Sequence, residues 1–446
     1  LRGSWALVVR DARTDELVAT CHGSPLVVAE SPAGVFAASD IGAIAPWVEW
    51  YHVLDDGDVV RLRAGLPWHR GGAPVAPPPA VACSVAVADL SLGLYPDFMA
   101  KEIEQQPDVA ERLITTWSGS ILHGLWPSFS LPVPRHVTVV GCGTSLNAAR
   151  LVADLLHRLG SIPFAAVEAS ELPSTATVRG SLALVLSQSG ETADVLTALD
   201  VLHGRGHAVV ALTTNPHSAL ARRAEAVMMC DAGPEIGVAA TKTFVAQVLG
   251  GTCVVLSLLG CSGAVEQQRA QRLIRDLDRV PDALAQAIGA SRRTVPQVLE
   301  GLTKASGYVF LGRGPGRIYA DEGALKLKEL TYRWAESHAA GELKHGPLAL
   351  VEHGTPVIVV DDGSARMHTT IAEVSARGAE ITSIGGHGTS VPALGSPLAG
   401  ALDTTVDWLG PLASVVALQI IARELAVALG RDVDKPRNLA KSVTVE

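Results

Sequence analysis

One pattern occurs twice in this chain and constrains its fold more than any other feature: an apolar strand that runs into a small turn and then a helix. In residues 182–192 the strand LALVL leads into SQSGET, and in residues 356–364 the strand PVIVV leads into DDGS. At a similar distance before each copy, another apolar strand ends in glycine, in residues 137–143 and 308–314. Strands that alternate with helices in this way predict two tandem α/β domains with doubly wound parallel sheets.

The turn of the first copy has the composition of an anion site. Ser187, Ser189 and Thr192 supply hydroxyls, and Gly190 lets a ligand approach the backbone. The helix that follows leaves its first N–H groups unpaired and carries the positive end of its dipole, which favours a phosphate. An ordinary turn with Ser/Thr caps is the alternative. Two aspartates at 361–362 would repel a phosphate in the second copy, so we expect only the first copy to bind the anion.

Composition excludes several classes of function. The net charge of -9 with no basic stripe argues against a nucleic-acid surface. Six scattered cysteines without a CxxC pair suggest neither a metal site nor a disulfide framework, and a reduced cytoplasmic setting fits. The apolar run 244–260 is interrupted by Gln247 and a glycine pair, which favours a buried core helix over a membrane span. The third glycine of a dinucleotide fingerprint would fall at Leu146 and Arg317, so no nucleotide cofactor is predicted.

The chain before the repeat has a different character. Residues 1–66 alternate in short β-like runs, and prolines then mark an exposed linker. The predicted organisation has five parts: a β-rich piece (1–66), a linker (67–96), a first α/β domain (97–280), a second α/β domain (281–428) and a tail (429–446).

Charged residues at helical spacing form a second candidate site. Glu322, Lys326 and Glu329 fall on one face of a predicted helix, and the same spacing continues to Arg333 and Glu336. The commoner use of such spacing is a solvated, salt-bridged face. The functional interpretation is a carboxylate, Glu329, flanked by lysines and available for proton transfer.

Two further residues have side chains suited to acid–base or nucleophilic chemistry. His345 stands before Gly-Pro on a predicted turn, and histidine exchanges protons near neutral pH, although a lone histidine is more often structural. Lys441 lies between small residues in an apolar tail. Shielding from water lowers the pKa of a lysine, and the neutral amine can attack a carbonyl; an exposed tail lysine is the alternative.

Several separate stretches together resemble the glutamine–fructose-6-phosphate amidotransferases, also called glucosamine-6-phosphate synthases. These stretches are CGTS at 142–145, SQSGET at 187–192, EIGVAATK at 235–242, EGALKLKE at 322–329, GELKHGP at 341–347 and PRNLAKSVTVE at 436–446. The resemblance covers the chain from about residue 95 onward and implies two sugar isomerase (SIS) domains, in agreement with the internal repeat.

The resemblance also implies a reaction and a role for each matching residue. Fructose 6-phosphate would become glucosamine 6-phosphate by ring opening, imine formation and C1–C2 proton transfer, with no metal and no cofactor. Glu329 would be the base, Lys326 would tune it, and Lys441 would help form the imine. His345 would assist ring opening from the partner subunit of a homodimer. The substrate would be held by Thr144, Ser145, Ser187, Gln188, Ser189, Thr192, Val238 and Ala440.

The beginning of the chain departs from the family pattern. Residues 1–66 resemble only the last part of the family's N-terminal-nucleophile glutaminase domain, and no cysteine lies near Leu1. We therefore expect ammonia, not glutamine, to be the nitrogen donor for this chain. Two other readings stay open: a SIS-type amino-sugar-phosphate deaminase or isomerase, and a non-catalytic sugar-phosphate sensor. A sensor would have a degenerate Glu329, His345 and Lys441 set, and all three residues are present.

Overall fold

The computed structural model describes residues 1–83, 85–160, 162–385 and 408–444. Residues 386–407 of the predicted second α/β domain and 445–446 of the predicted tail lie outside the described residues. The described chain consists of an antiparallel β region, two α/β units with parallel sheets, and a tail that returns to the first unit. The predicted mixed architecture with tandem α/β units is thus confirmed.

The β region contains two antiparallel sheets. Its strands are β1 (Trp5–Arg10), β2 (Leu17–His22), β3 (Val27–Ser31), β4 (Gly34–Ala38), β5 (Trp50–Val53), β6 (Asp58–Arg61), β7 (Trp68–Arg70), β8 (Ala73–Val75) and β9 (Val81–Ala82). One sheet has the order β1-β2-β6-β7-β8 and the other β4-β3-β5-β9. The proline-rich stretch predicted to be an exposed linker therefore supplies three strands. Trp68 is buried in the small core between the sheets, and that burial outweighs the preference of the neighbouring prolines for exposed loops.

The first α/β unit has strands β10 (Val137–Gly141), β11 (Phe164–Glu168), β12 (Leu182–Leu186), β13 (Ala208–Thr213) and β14 (Ala226–Met229). Its helices are α1 (Phe98–Glu104), α2 (Gln106–Trp117), α3 (Trp126–Ser128), α4 (Gly143–Gly160), α5 (Ala193–Gly204), α6 (Ala219–Arg223), α7 (Lys242–Ser262) and α8 (Gln267–Leu277). The strands pair in parallel in the order β11-β10-β12-β13-β14. The carboxyl ends of β10 and β12 therefore lie side by side, where such folds bind ligands.

The second unit repeats this plan. Its described strands are β15 (Gly307–Gly312), β16 (Trp334–Ala339), β17 (Pro356–Asp361) and β18 (Glu380–Gly385), paired in parallel in the order β16-β15-β17-β18. Its helices are α9 (Val280–Lys304), α10 (Pro315–Thr331), α11 (Ala365–Ser375) and α12 (Ser414–Ala428). Short 3₁₀ helices occupy Leu343–His345 and Pro347–Leu350.

One helix differs from its prediction. The charged spacing of residues 322–336 predicts a single helix, but α10 ends at Thr331 and the chain then enters β16. Tyr332 stops the helix because it adopts a left-handed conformation, with φ of 62°. Arg333 and Glu336 consequently do not belong to the charged helical face, which reduces to Glu322, Lys326 and Glu329.

Helix α7 is the apolar run interpreted as a core helix, and the structure confirms that interpretation. Among the described residues it is the one helix with the length and apolarity of a membrane span, but it is largely buried inside the protein. Gly251 permits its close approach to α4, since a Cβ there would lie 2.2 Å from Val152 Cγ2. A continuous apolar core joins α7 and α4 to α10 and α12 of the second unit. This shared core therefore fixes the positions of the side chains that the two units present to each other.

Candidate active site

The turn between β12 and α5 has the shape expected of an anion cradle. We call residues 187–192 the phosphate turn. Ser187 Oγ accepts a hydrogen bond from Gly190 N at 3.1 Å and lies 3.3 Å from Thr192 Oγ1. Gly190 has φ of 68°, and a Cβ there would meet Ser218 Oγ at 2.1 Å, so the turn requires glycine. Thr192 occupies the N-cap position of α5 without capping the helix through its side chain.

The tail lies directly on the phosphate turn. Ser442 Oγ donates to Ser189 Oγ at 3.2 Å, and Ala193 N donates to Val443 O at 3.0 Å. Gln188 is held from the other side, where its Nε2 donates to Thr214 Oγ1 at 3.4 Å. The predicted phosphate residues and the predicted tail residues thus belong to one site.

A second cluster surrounds the predicted base on α10. We call Thr144, Asn147, Glu322, Lys326 and Glu329 the base cluster. Lys326 Nζ donates to Glu329 Oε2 at 2.6 Å and lies 3.6 Å from Glu322 Oε1. Glu322 in turn accepts from Thr144 Oγ1 at 2.9 Å and from Asn147 Nδ2 at 2.8 Å. The cluster therefore joins the first turn of α4 to α10 across the boundary between the two units.

Burial sets the charges of this cluster. The side chains of Glu322 and Lys326 are 0% and 1% exposed, whereas Glu329 keeps 21% exposure. Burial raises the pKa of Glu322, although the charge of Lys326 opposes that shift. Burial by itself would lower the pKa of Lys326, but Glu329 and Glu322 raise it above its ordinary value. Lys326 is therefore a fixed cation, and Glu329 is the carboxylate of the cluster that solvent or a ligand can reach.

Lys441 is anchored by a buried carboxylate. Its Nζ donates to Glu235 Oε2 and, at 2.8 Å, to Gly237 O. Burial would raise the pKa of Glu235, but Lys441 and hydrogen bonds from Thr241 and Thr243 lower it to about 2. The lysine predicted to act as a free, shielded amine is thus one member of an ion pair.

A second buried carboxylate, Glu102 of α1, lies behind this pair. Its Oε1 accepts from the N–H groups of Ile236 and Gly237, and its Oε2 has no described hydrogen-bond partner. Burial, together with the charge of Glu235, raises the pKa of Glu102 to about 8. The Glu102 carboxyl group, with its raised pKa, therefore joins the loop that carries Glu235 to α1.

The remaining predicted substrate residues surround these groups. Ser145 is half-buried in the first turn of α4, and Ala440 is exposed beside Lys441. Val238 is half-buried, and its N–H donates to Asp434 O at 3.0 Å. The Asp434 carboxylate also accepts the Phe98 and Met99 N–H groups at the start of α1. The tail is thus tied to the loop that carries Val238.

His345 makes no described contact with the other predicted catalytic residues. It is exposed at the end of the 3₁₀ helix Leu343–His345, and its backbone N–H donates to Glu342 O. Among the described residues, no hydrogen bond or ion pair joins its imidazole to another side chain. The described contacts therefore do not join His345 to Glu329 or Lys441.

The equivalent turn of the second unit is built differently. Asp361 is 6% exposed and accepts from Gly363 N at 2.9 Å and Ser383 Oγ at 3.4 Å. Ser364 caps α11 by accepting from Met367 N at 3.2 Å. The Asp361 carboxylate and the Ser364 hydroxyl thus both accept hydrogen bonds within the fold, and phosphate binding by the first copy alone stays a prediction.

Sequence reasoning did not give roles to Glu235 and Glu322. Both lie in motifs that carry the family resemblance, but their partners are distant in the chain, at Lys441 and Thr144. The signal that could have found them is a glutamate inside an otherwise apolar or small-residue stretch, because a buried carboxylate must be paired. The charge of Glu235 also contributes to the raised pKa of Lys326, so the tail and the base cluster are electrostatically connected.

Comparison with known proteins gives the same assignment as the geometry. The SIS domain family matches residues 130–256 and 301–429. Glutamine–fructose-6-phosphate aminotransferases (isomerizing) of Bradyrhizobium diazoefficiens and Thermus thermophilus are 35% and 38% identical to this chain. Each alignment covers 100% of this chain and 75% of the relative.

Solved structures show the same fold. The C-terminal domain of glucosamine-fructose-6-phosphate aminotransferase from Francisella tularensis superposes with a TM-score of 0.71 at 29% identity. It covers 77% of this chain and 99% of that domain. Glucosamine-6-phosphate deaminase from Thermotoga maritima has a TM-score of 0.60 at 24% identity, covering 78% of this chain and 99% of that chain, a likeness of fold alone. The chain therefore belongs to the isomerizing glutamine–fructose-6-phosphate aminotransferases, a family of enzymes with two SIS domains.

Proposed function

We propose that this chain converts fructose 6-phosphate and ammonia into glucosamine 6-phosphate and water. The position of the tail is the observation that carries the proposal. Ser442 bonds to Ser189 of the phosphate turn, and the preceding residue, Lys441, pairs with Glu235. One segment thus brings an amine beside the phosphate anchor. The names of the aminotransferase relatives support the same substrate.

In this proposal the phosphate turn holds the 6-phosphate through hydroxyls and helix N–H groups. Ser187, Ser189 and Thr192, with Ser145 of the adjacent α4, donate hydrogen bonds to its oxygens. The sugar then extends toward the base cluster. The residues assigned to its hydroxyls and carbon chain are Thr144, Gln188, Val238 and Ala440.

The chemistry requires an acid–base group at each stage. His345, supplied by the partner subunit of a dimer, assists ring opening, which exposes the C2 carbonyl. Ammonia adds to C2 and water leaves, so that an imine forms. Glu329 removes a proton from C1 and returns a proton to C2. The C1 hydroxyl loses its proton and becomes the aldehyde, and the imine nitrogen gains a proton and becomes the amine of the amino sugar.

The two lysines have distinct roles in this scheme. Lys326, fixed between Glu322 and Glu329, holds the base in place. Lys441 helps imine formation at C2 and, as the ammonium paired with Glu235, can donate a proton to the oxygen that leaves as water. An attack by Lys441 itself requires that it first give up a proton and leave Glu235, and borohydride trapping during turnover would reveal such a covalent imine.

The test is an assay of glucosamine 6-phosphate with fructose 6-phosphate and ammonium as substrates. We expect amino sugar to form in proportion to enzyme and to require both substrates. Binding of fructose 6-phosphate without any turnover would contradict the proposal and favour a sugar-phosphate sensor. Conversion in the opposite direction alone, from glucosamine 6-phosphate to fructose 6-phosphate and ammonia, would favour a deaminase.

A further inference from the structure

The backbone conformation at Tyr332 favours glycine, yet the residue at this position has a large side chain. Tyr332 follows the last residue of α10, and its N–H donates to Lys328 O. The backbone of Tyr332 has φ of 62° and ψ of 25°. This is the left-handed helix-ending position at which glycine is strongly favoured. A bulky residue there is an outlier that costs about 1–3 kcal/mol of backbone strain. The tyrosine side chain must therefore offset that cost through its contacts.

Those contacts are with the tail. The guanidinium of Arg437 lies 4.4 Å from the centre of the Tyr332 ring, and that of Arg431 lies 5.2 Å away. The Tyr332 hydroxyl accepts a hydrogen bond from the backbone N–H of Arg437 at 2.8 Å. Two cations and a main-chain donor thus contact one aromatic ring, and these contacts join the end of α10 to the tail.

The location of this contact matters for the reaction proposed above. Tyr332 comes three residues after Glu329, and Lys441 comes four residues after Arg437. The proposed base and the proposed amine act on neighbouring carbons of one substrate, so their separation has to be fixed. An error of about 1 Å in such a separation can cost on the order of 100-fold in rate.

We propose that Tyr332 is a positioning residue that sets the distance between Glu329 of α10 and Lys441 of the tail. This inference rests on the proposed function for its catalytic consequence, but the physical contact between Tyr332 and the tail can be tested without it. Tyr332 touches neither the phosphate turn nor the base cluster among the described contacts. Its loss should therefore lower kcat more than it raises the KM for fructose 6-phosphate.

Tyr332→Gly and Tyr332→Phe are the informative variants. Glycine relieves the strained backbone but removes the ring, so it should preserve or increase thermal stability while kcat falls by about tenfold or more. Phenylalanine keeps the aromatic ring against the arginines and loses only the hydrogen bond of the hydroxyl. The kcat of Tyr332→Phe should therefore lie between the values for the wild type and for Tyr332→Gly. Tyr308→Phe is the control for loss of a tyrosine hydroxyl in the same unit, because that hydroxyl donates to Leu302 O and accepts from Arg333 but has no described contact with the tail.

Hydrogen exchange of the tail supplies the second readout. Amides of residues 431–444 and Ala193 should exchange faster in Tyr332→Gly, while those of β17 should not. Unchanged tail exchange, or a glycine variant with wild-type kcat, would overturn the inference. If amides throughout the chain exchange fast in Tyr332→Gly, that variant has failed to fold. Tail exchange and kcat of Tyr332→Phe then decide in its place. If the wild-type chain makes no amino sugar, the proposed function fails, and exchange alone decides whether Tyr332 holds the tail.

Discussion

At the scale of single residues, burial decides which charged groups are fixed and which can react. Glu322 and Lys326 are fully buried and form an ion pair at 3.6 Å, and Glu235 is buried and accepts from Lys441. Replacing one partner of such a pair is strongly destabilising, because the other partner is left as an unpaired charge in the protein interior. Glu329 and Lys441 keep partial exposure, and the proposed proton transfer is assigned to these two side chains.

Glu329→Gln should abolish turnover while leaving sugar-phosphate binding intact. The amide keeps the shape and the hydrogen-bond acceptor for Lys326 but cannot take the C1 proton. We expect a loss of about 10²- to 10⁴-fold in kcat, with calorimetric affinity for fructose 6-phosphate changed little. Glu336→Gln, at an exposed position of β16, is the control and should behave as wild type. Unchanged turnover by Glu329→Gln would reject its role as the base.

The titration of Glu102 should make the folded protein less stable as pH rises. The raised pKa of Glu102, about 8 against an ordinary 4.5, means that the folded protein keeps a proton which the unfolded chain releases. That stabilisation is complete below the ordinary pKa and is lost as pH rises through about 8. The free energy of unfolding should fall by up to about 1.4 kcal/mol per pH unit in this window.

Urea unfolding from pH 5 to 9 tests this prediction, with Glu102→Gln as the comparison. The variant has no titrating group at this position, so the difference between the two proteins isolates the contribution of Glu102. Parallel pH profiles would show that Glu102 does not hold the extra proton.

At the scale of elements, the two copies of the strand–turn–helix unit provide an internal control. Ser189→Ala should weaken fructose 6-phosphate binding by about 10- to 100-fold, because a hydrogen bond to a charged group contributes about 1.5–3 kcal/mol. Ser364→Ala in the second copy removes a helix cap instead. It should cost about 1 kcal/mol of stability and leave sugar-phosphate affinity unchanged.

Calorimetric titration of both variants, with thermal unfolding in parallel, separates these two effects. Equal losses of affinity in Ser189→Ala and Ser364→Ala would contradict the assignment of phosphate to the first copy alone.

Local patterns predicted most of these elements and missed those set by distant contacts. The repeated strand–glycine–helix pattern predicted both parallel sheets, and hydroxyl content distinguished the two turns. The end of α10 was missed because charged spacing continues through Arg333, while the stop depends on a tyrosine in a conformation that favours glycine. The pairing of Lys441 with Glu235 was also missed, since the two residues are 206 positions apart in the chain.

At the scale of the whole molecule, the role proposed for His345 would make the site depend on assembly. His345 is exposed, as a residue that acts on a neighbouring subunit has to be. We expect a dimer in solution. Mixing inactive Glu329→Gln and His345→Ala subunits should restore up to about a quarter of wild-type activity, because each mixed dimer has one site with both residues intact. Failure to restore activity after demonstrated subunit exchange would place His345 outside the neighbouring site.

The proposed function depends on one step, in which Glu329 moves a proton from C1 to C2 of a sugar phosphate held by the phosphate turn. Fructose 6-phosphate carrying deuterium at both C1 positions, incubated with the enzyme and ammonium, tests it most directly. We expect mass spectrometry and NMR to find glucosamine 6-phosphate with one deuterium left at C1 and the other at C2 or in water. Full retention of both C1 deuterium atoms in recovered sugar, with no amino sugar formed, would contradict it.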